Sequence, residues 1–199
     1  MLIKVCGNCD LETIENLELI QEIDFLGFIF YPNSPRNFQG NLNERKIKKR
    51  VGVFVNETME FIQEKVSSHK LDFIQLHGKE SPEFCKQIQK MKPVIKVFHI
   101  DIEFDFQQVE AFLDVCEYFL FDTKTSKFGG SGEKFPWEKL NEYSLSKEYF
   151  LSGGISISDS EILKNLPGKC IGIDINSKFE LENGKKDCKL IQKFIKNIK

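Results

Sequence analysis

Short apolar runs recur along this chain with a helix-forming stretch behind each, and that beat constrains the fold more than any other feature. Strand candidates fall at 2–6, 25–30, 51–55, 73–77, 94–98, 118–121, 149–151 and 170–175. Between and after them the apolar spacing changes from two to between three and four. This predicts helices at 10–22, 43–50, 58–67, 82–90 and 106–113, then from Pro136, at 158–165 and at 185–196. Parallel strands joined by right-handed helical crossovers close into a (βα)8 barrel, and 199 residues allow roughly 25 per unit, compact but sufficient. The expectation is one α/β domain over residues 1–199, an eight-stranded parallel TIM barrel. An open doubly wound sheet is the competing architecture.

Side-chain alternation separates the two. Residues two apart on a strand share a face. Ile3 and Val5 oppose Lys4 and Cys6, Ile74 and Leu76 oppose Gln75 and His77, and Phe119 and Phe121 oppose Leu120 and Asp122. In the last strand Ile171, Ile173 and Ile175 oppose Gly172, Asp174 and Asn176. A sheet covered by helices on both sides should be apolar on both. Here one face is β-branched or aromatic and the other turns polar toward the C-terminal end, as a barrel with a site at that mouth requires. Satisfied structural polar groups are the alternative, and so many at one end argues against it.

Composition excludes several partner classes. The 28 basic and 30 acidic residues nearly cancel, so no global field draws the chain to nucleic acid or an anionic membrane. No apolar stretch is long enough for a bilayer, and MLIKVCGNCD lacks signal-peptide features, so a cytoplasmic protein is expected. The six cysteines, at 6, 9, 85, 116, 170 and 188, read as mostly buried reduced thiols. Cys6 and Cys9 form a C-x-x-C without a second pair, and His69, His77 and His99 are dispersed in sequence, so no metal site is expected.

The strand ends gather Cys6, Arg36, Asn56, His77, Asp122, Ser152, Gly153, Gly154, Asp174, Asn176 and Ser177. Barrels of this kind commonly hold phosphate after the last two strands, and Gly153 and Gly154 in SGGIS suit that place, although a Gly-Gly pair by itself is usually a turn. Arg36 can take a carboxylate bidentately or be a surface arginine. Cys6 is a base or nucleophile candidate that neighbouring cations such as Lys4 would activate, and otherwise a buried filler. Asp122 ends an apolar run ahead of a loop with Gly129, Gly130 and Gly132, an acid under a movable cover, or simply a strand end.

Taken together the motifs resemble phosphoribosylanthranilate isomerase of tryptophan biosynthesis. KVCG at 4–7, GFIFYPNSPR at 27–36, VGVFVN at 51–56, IQLHGKE at 74–80, FDT at 121–123, GGSG with FPW at 129–137, SGGI at 152–155 and GIDINS at 172–177 fall in family order over nearly the whole chain. Departures are Asn8 to Asp10 after KVCG, Pro136 before the tryptophan, and Lys178 with Phe179 after the last strand. The resemblance implies an Amadori rearrangement without cofactor or metal. In it Asp122 is the general acid that protonates the furanose oxygen, and Cys6 is the base that takes the C2 proton. Arg36 faces the anthranilate carboxylate, and Gly153, Gly154, Asn176 and Ser177 form the phosphate site. His77 and Asp174 are further pocket candidates. Burial should keep the acid protonated while a nearby cation ionises the base. The implied partner is a small phosphosugar substrate, with no nucleic acid or membrane, in a monomer or weak homodimer. Rival readings are another phosphosugar enzyme on this barrel, and a non-catalytic phosphate binder or thiol sensor.

Overall fold

Eight parallel strands close on themselves in sequence order, with the last hydrogen-bonded back to the first. They are β1 (Leu2–Val5), β2 (Phe25–Ile29), β3 (Lys49–Phe54), β4 (Phe73–Leu76), β5 (Val94–Ile100), β6 (Tyr118–Thr123), β7 (Tyr149–Leu151) and β8 (Cys170–Ile175). The architecture is that of a computed structural model, which describes residues 1–42, 47–124, 134–181 and 184–199. The barrel expected from alternation is the fold, and the open sheet is not.

Helices α1 (Leu11–Glu18), α2 (Met59–His69), α3 (Pro82–Ile88), α4 (Ser160–Leu163) and α5 (Cys188–Ile198) occupy crossovers or follow the last strand. Tighter 3-10 turns at Phe106–Phe112 and Trp137–Glu142 serve after β5 and β6. Their starts are set by local chemistry: Asp10, Thr58, Ser81 and Asp187 each accept an amide hydrogen bond from three residues on, at 2.9–3.2 Å. At the end of the chain α5 buries Ile191, Phe194, Ile195 and Ile198 against the barrel wall.

Four expectations need correction. The helix at 43–50 is not formed where the chain is described, because the Ile47 and Lys48 amides both donate to Glu18 Oε2 at 2.8 Å and Lys49 already enters β3; residues 43–46 lie outside the described residues. Strand β6 runs through Thr123, so Asp122 is held by the ladder rather than standing just past it. Strand β5 extends to Ile100 and carries His99 to the mouth. In β8 the register jumps from Tyr149↔Cys170 to Phe150↔Gly172. Ile171 is skipped and packs with the barrel interior instead of sharing the outer face of Ile173 and Ile175. The cover expected at Gly129, Gly130 and Gly132 lies outside the described residues.

The barrel interior is apolar at its N-terminal end, where Phe25, Val51, Ile95, Val97, Leu120 and Phe150 pack with Phe73, Tyr118 and Ile171. Phe150 meets Phe25 and Tyr118 edge-to-face, with centroids 5.6 Å apart in both pairs. A larger cluster fills the space between strands and helices. Further along the strands the inward positions become Lys4, Gln75, Asp122 and Asp174, so the change from apolar to polar fixes which end of the barrel is open to chemistry. Because Phe150 is fully buried in that floor, Phe150→Ala is expected to cost about 3–5 kcal/mol. The urea midpoint at unchanged m reads this, and a cost under about 1 kcal/mol contradicts the interior packing described here.

Candidate active site

One cavity opens at the C-terminal ends of the strands, with about 810 Å³ of empty space including its mouth. Cys6 reaches it from just beyond β1, Arg36 from the loop after β2, His77 from the end of β4 and Asp122 from β6. Gly153 and Gly154 line it after β7, and Asp174, Asn176 and Ser177 line it from the end of β8. Every site residue singled out from sequence therefore meets in one place, except Asn56. Its side chain turns away to accept the Lys79 amide at 2.7 Å.

At the base of the cavity Lys4 Nζ lies 2.9 Å from Asp174 Oδ2 with both side chains buried. Burial opposes the Lys4 charge, but Asp174 and Cys6 together offset it and hold the ammonium above its ordinary range. Asp174 Oδ1 has no hydrogen-bond partner among the described residues, which leaves it an acceptor for a ligand hydroxyl. Beside this pair sits Cys6. A side chain at Gly27, on β2, would bring its Cβ to 2.7 Å from Cys6 Sγ and 3.1 Å from Lys4 Nζ, so glycine there makes room for both. Burial pushes the Cys6 thiol up, and Lys4 only partly counters it. The expectation of an ionised base is thus reversed, because desolvation of the thiolate outweighs one nearby cation.

Asp122 shows the opposite reversal. Its Oδ1 accepts the Thr123 amide at 2.8 Å, and its Oδ2 lies 3.5 Å from His77 Nε2. Burial favours the protonated form, as expected from sequence. The hydrogen bond and attraction from His77 outweigh it and hold the carboxyl below its ordinary range. Gly153 adopts φ +89°, and any side chain there would strike Thr123 Oγ1 and come within 3.0 Å of Asp122 Oδ1. Only glycine lets the loop after β7 press this close to the carboxylate.

Arg36 is not a surface arginine. Its Nε and Nη2 donate to Glu180 at 2.6 and 2.8 Å, and Glu180 also receives Lys186 Nζ at 2.5 Å. Lys186 in turn donates to Asn176 Oδ1 at 2.6 Å. Burial works against the Glu180 charge, yet its two cationic partners hold it below the usual carboxylate range. Sequence reasoning missed Glu180 and Lys186, since 144 residues separate Arg36 from Glu180 and no local pattern links them.

The histidines are not dispersed in space. His77 and His99 stand with ring centroids 5.1 Å apart beside Asp122, and one ligand atom from each of the three lies within 4.8 Å of the others. His69 is elsewhere, stacked on Phe30. All six cysteines are free thiols; Cys6 is buried, Cys9 is exposed, and neither belongs to a metal-holding cluster among the described residues. Also among them, no helix is long and apolar enough to cross a membrane.

Comparison with known proteins agrees with this geometry. The family model described as N-(5'phosphoribosyl)anthranilate (PRA) isomerase matches residues 3–197. The N-(5'-phosphoribosyl)anthranilate isomerase of Parabacteroides distasonis is 41% identical over 207 residues, spanning 100% of this chain and 93% of that protein. The crystal structure of phosphoribosyl anthranilate isomerase from Thermus thermophilus superposes with TM-score 0.86 at 25% identity, covering 100% of this chain and 98% of that one. A further phosphoribosyl anthranilate isomerase, solved in complex with reduced 1-(o-carboxyphenylamino)-1-deoxyribulose 5-phosphate, superposes with TM-score 0.82 at 29% identity over 100% of this chain and 98% of that one. A match spanning the barrel from β1 to α5, with such relatives, means that the chain belongs to the N-(5'-phosphoribosyl)anthranilate isomerase family.

Proposed function

We propose that this chain converts N-(5-phosphoribosyl)anthranilate to 1-(2-carboxyphenylamino)-1-deoxyribulose 5-phosphate by general acid–base catalysis, as a step of tryptophan biosynthesis. The observation that carries the reading is a single cavity whose wall holds both a strand-borne carboxylate, Asp122, and a buried thiol, Cys6. The molecule bound in the solved relative has a carboxyphenyl end, a reduced deoxyribulose chain and a phosphate. This cavity offers matching chemistry for each: Arg36 for the carboxylate, Asp174 for sugar hydroxyls, and the close backbone at Gly153 and Gly154 with Asn176 and Ser177 for the phosphate.

Asp122 gives a proton to the furanose oxygen. The C1–O bond breaks as the anilino nitrogen's lone pair forms the C1=N bond, leaving a protonated Schiff base. Cys6, as thiolate, takes the C2 proton, the C2 electrons neutralise the iminium as an enolamine, and protonation at C1 with loss of the C2 hydroxyl proton gives the ketone. Substrate supplies what the resting groups lack. Its phosphate and carboxylate raise the proton affinity of Asp122, and the iminium adds a second cation to Lys4 beside Cys6. A thiol with raised proton affinity is also the stronger base once ionised. Arg36 has five donors, enough to take a second carboxylate while holding Glu180 through two of them.

Cys6→Ala and Asp122→Ala are each expected to lower kcat by about 10²–10⁴ with the far-ultraviolet circular dichroism unchanged, measured as loss of the substrate's anthranilate fluorescence. Near wild-type turnover in either variant removes that residue from the mechanism. A second expectation concerns thiol reactivity. With iodoacetamide near neutral pH, peptide mass spectrometry should find exposed Cys9 alkylated at least about tenfold faster than Cys6, because burial keeps Cys6 as a thiol. If Cys6 reacts first, it rests as a thiolate and the account of its activation is wrong.

A further inference from the structure

Behind Asp122, at the cavity's edge, His99 and His77 turn a carboxylate into a three-donor cluster. His99 and Asp122 are side-by-side neighbours in the β5–β6 ladder, and His77 follows directly on β4. The donors therefore come from consecutive strands of a rigid wall. His77 Nε2 stands 3.5 Å from Asp122 Oδ2, and one ligand atom from each of the three residues lies within 4.8 Å of the other two. A tetrahedral zinc ion with Zn–N of about 2.0–2.1 Å and Zn–O of about 2.0–2.2 Å holds its ligand atoms about 3.4 Å apart. The His77–Asp122 edge, at 3.5 Å, already has about that length, and the others, within 4.8 Å, need to close by at most about 1.4 Å.

The surroundings suit ligation. Asp122 Oδ1 is committed to the Thr123 amide at 2.8 Å, which orients Oδ2. Gln75, 1% exposed, lies with its amide nitrogen 3.2 Å from His77 Nδ1, and its own Oε1 has no hydrogen-bond partner among the described residues. Turning that amide over lets Oε1 accept from an Nδ1–H, which fixes the tautomer whose Nε2 lone pair faces the cluster. Two imidazoles and one carboxylate favour a borderline transition-metal ion over magnesium or calcium. The fourth position opens on the cavity that His77 and Asp122 line.

We infer that His77, His99 and Asp122 form an inhibitory site for a divalent transition-metal ion such as zinc, occupied in competition with substrate. Binding needs only the cluster. Inhibition rests on the reading of Asp122 as the acid, because a metal on Oδ2 occupies the atom that carries the proton.

The test uses purified protein titrated with Co²⁺ alone, then Zn²⁺. Wild type is expected to bind one Co²⁺ per chain with the visible bands of a four- or five-coordinate ion and no thiolate charge-transfer band. Zn²⁺ should displace the cobalt, raise KM in the isomerase assay, and be reversed by a chelator. His99→Gln keeps turnover and circular dichroism but should weaken Co²⁺ binding by roughly 10–100-fold or more, taking the loss known for an outer-shell partner as the floor for a lost ligand. Cys9→Ser should bind as wild type does. No cobalt bands, equal affinity in His99→Gln, or a thiolate band lost in Cys9→Ser would each overturn the site. Cobalt binding that depends on His99 but leaves both KM and kcat untouched upholds the site and instead rejects Asp122 as the acid.

Discussion

The ion pair between Lys4 and Asp174 sits where the barrel closes. The two residues are direct partners in the β1–β8 register, so the bond that joins the last strand to the first also carries the buried charges. Taking two charges out of water costs several kcal/mol for each ion, and only close geometry offsets it. The pair is therefore weak evidence for stability and strong evidence for placement. It sets a polar floor in the upper half of an otherwise apolar barrel, and it stands directly beside Cys6, with Gly27 left bare to admit Lys4 and Cys6.

From that pair outward, the resting site holds the two groups proposed for proton transfer in inverse states. Burial pushes the Cys6 thiol up against the pull of Lys4, while at Asp122 burial is outweighed by His77 with smaller help from His99 and the Thr123 amide, which hold the carboxyl below its ordinary range. A group with a high proton affinity makes a strong base, and a carboxylic acid with a low one makes a strong acid, provided each is briefly found in its rarer state. The two local environments therefore favour intrinsic reactivity over resting population. The Arg36–Glu180–Lys186 chain plays a separate part: one carboxylate shared between a guanidinium and a buried ammonium fixes both cations beside Asn176 and leaves a net positive charge at the mouth.

Much of this was legible in the chain because alternation is a local signal. Lys4 with Cys6, Gln75 with His77, and Leu120 with Asp122 share faces by a period of two, and the fold puts them where that period says. What was hidden depends on partners distant in sequence. Glu18 captures two amides and cancels a basic helix, Glu180 finds Arg36 across the barrel mouth, and a register jump turns Ile171 inward. His77 and His99 looked unrelated because their neighbourhood arises only when β4 and β5 lie side by side. The protonation states were misjudged for a different reason. Sequence shows which charges are available, whereas desolvation depends on how completely the barrel encloses them.

The aromatic floor under the cavity has its own bearing on the chemistry. Phe25, Phe73, Tyr118 and Phe150 interlock at the N-terminal end of the barrel, and among these four rings the polar group is the Tyr118 hydroxyl, whose ionisation burial opposes, so the floor is a poor proton relay. The vessel is one-ended. Hydrogen removed from the substrate's second carbon can return to the product or escape past it, and escape is slowest while the product still occupies the opening. How much isotope from the solvent enters the product is then governed by how long the mouth stays covered, which makes product departure and label washout two readings of one event.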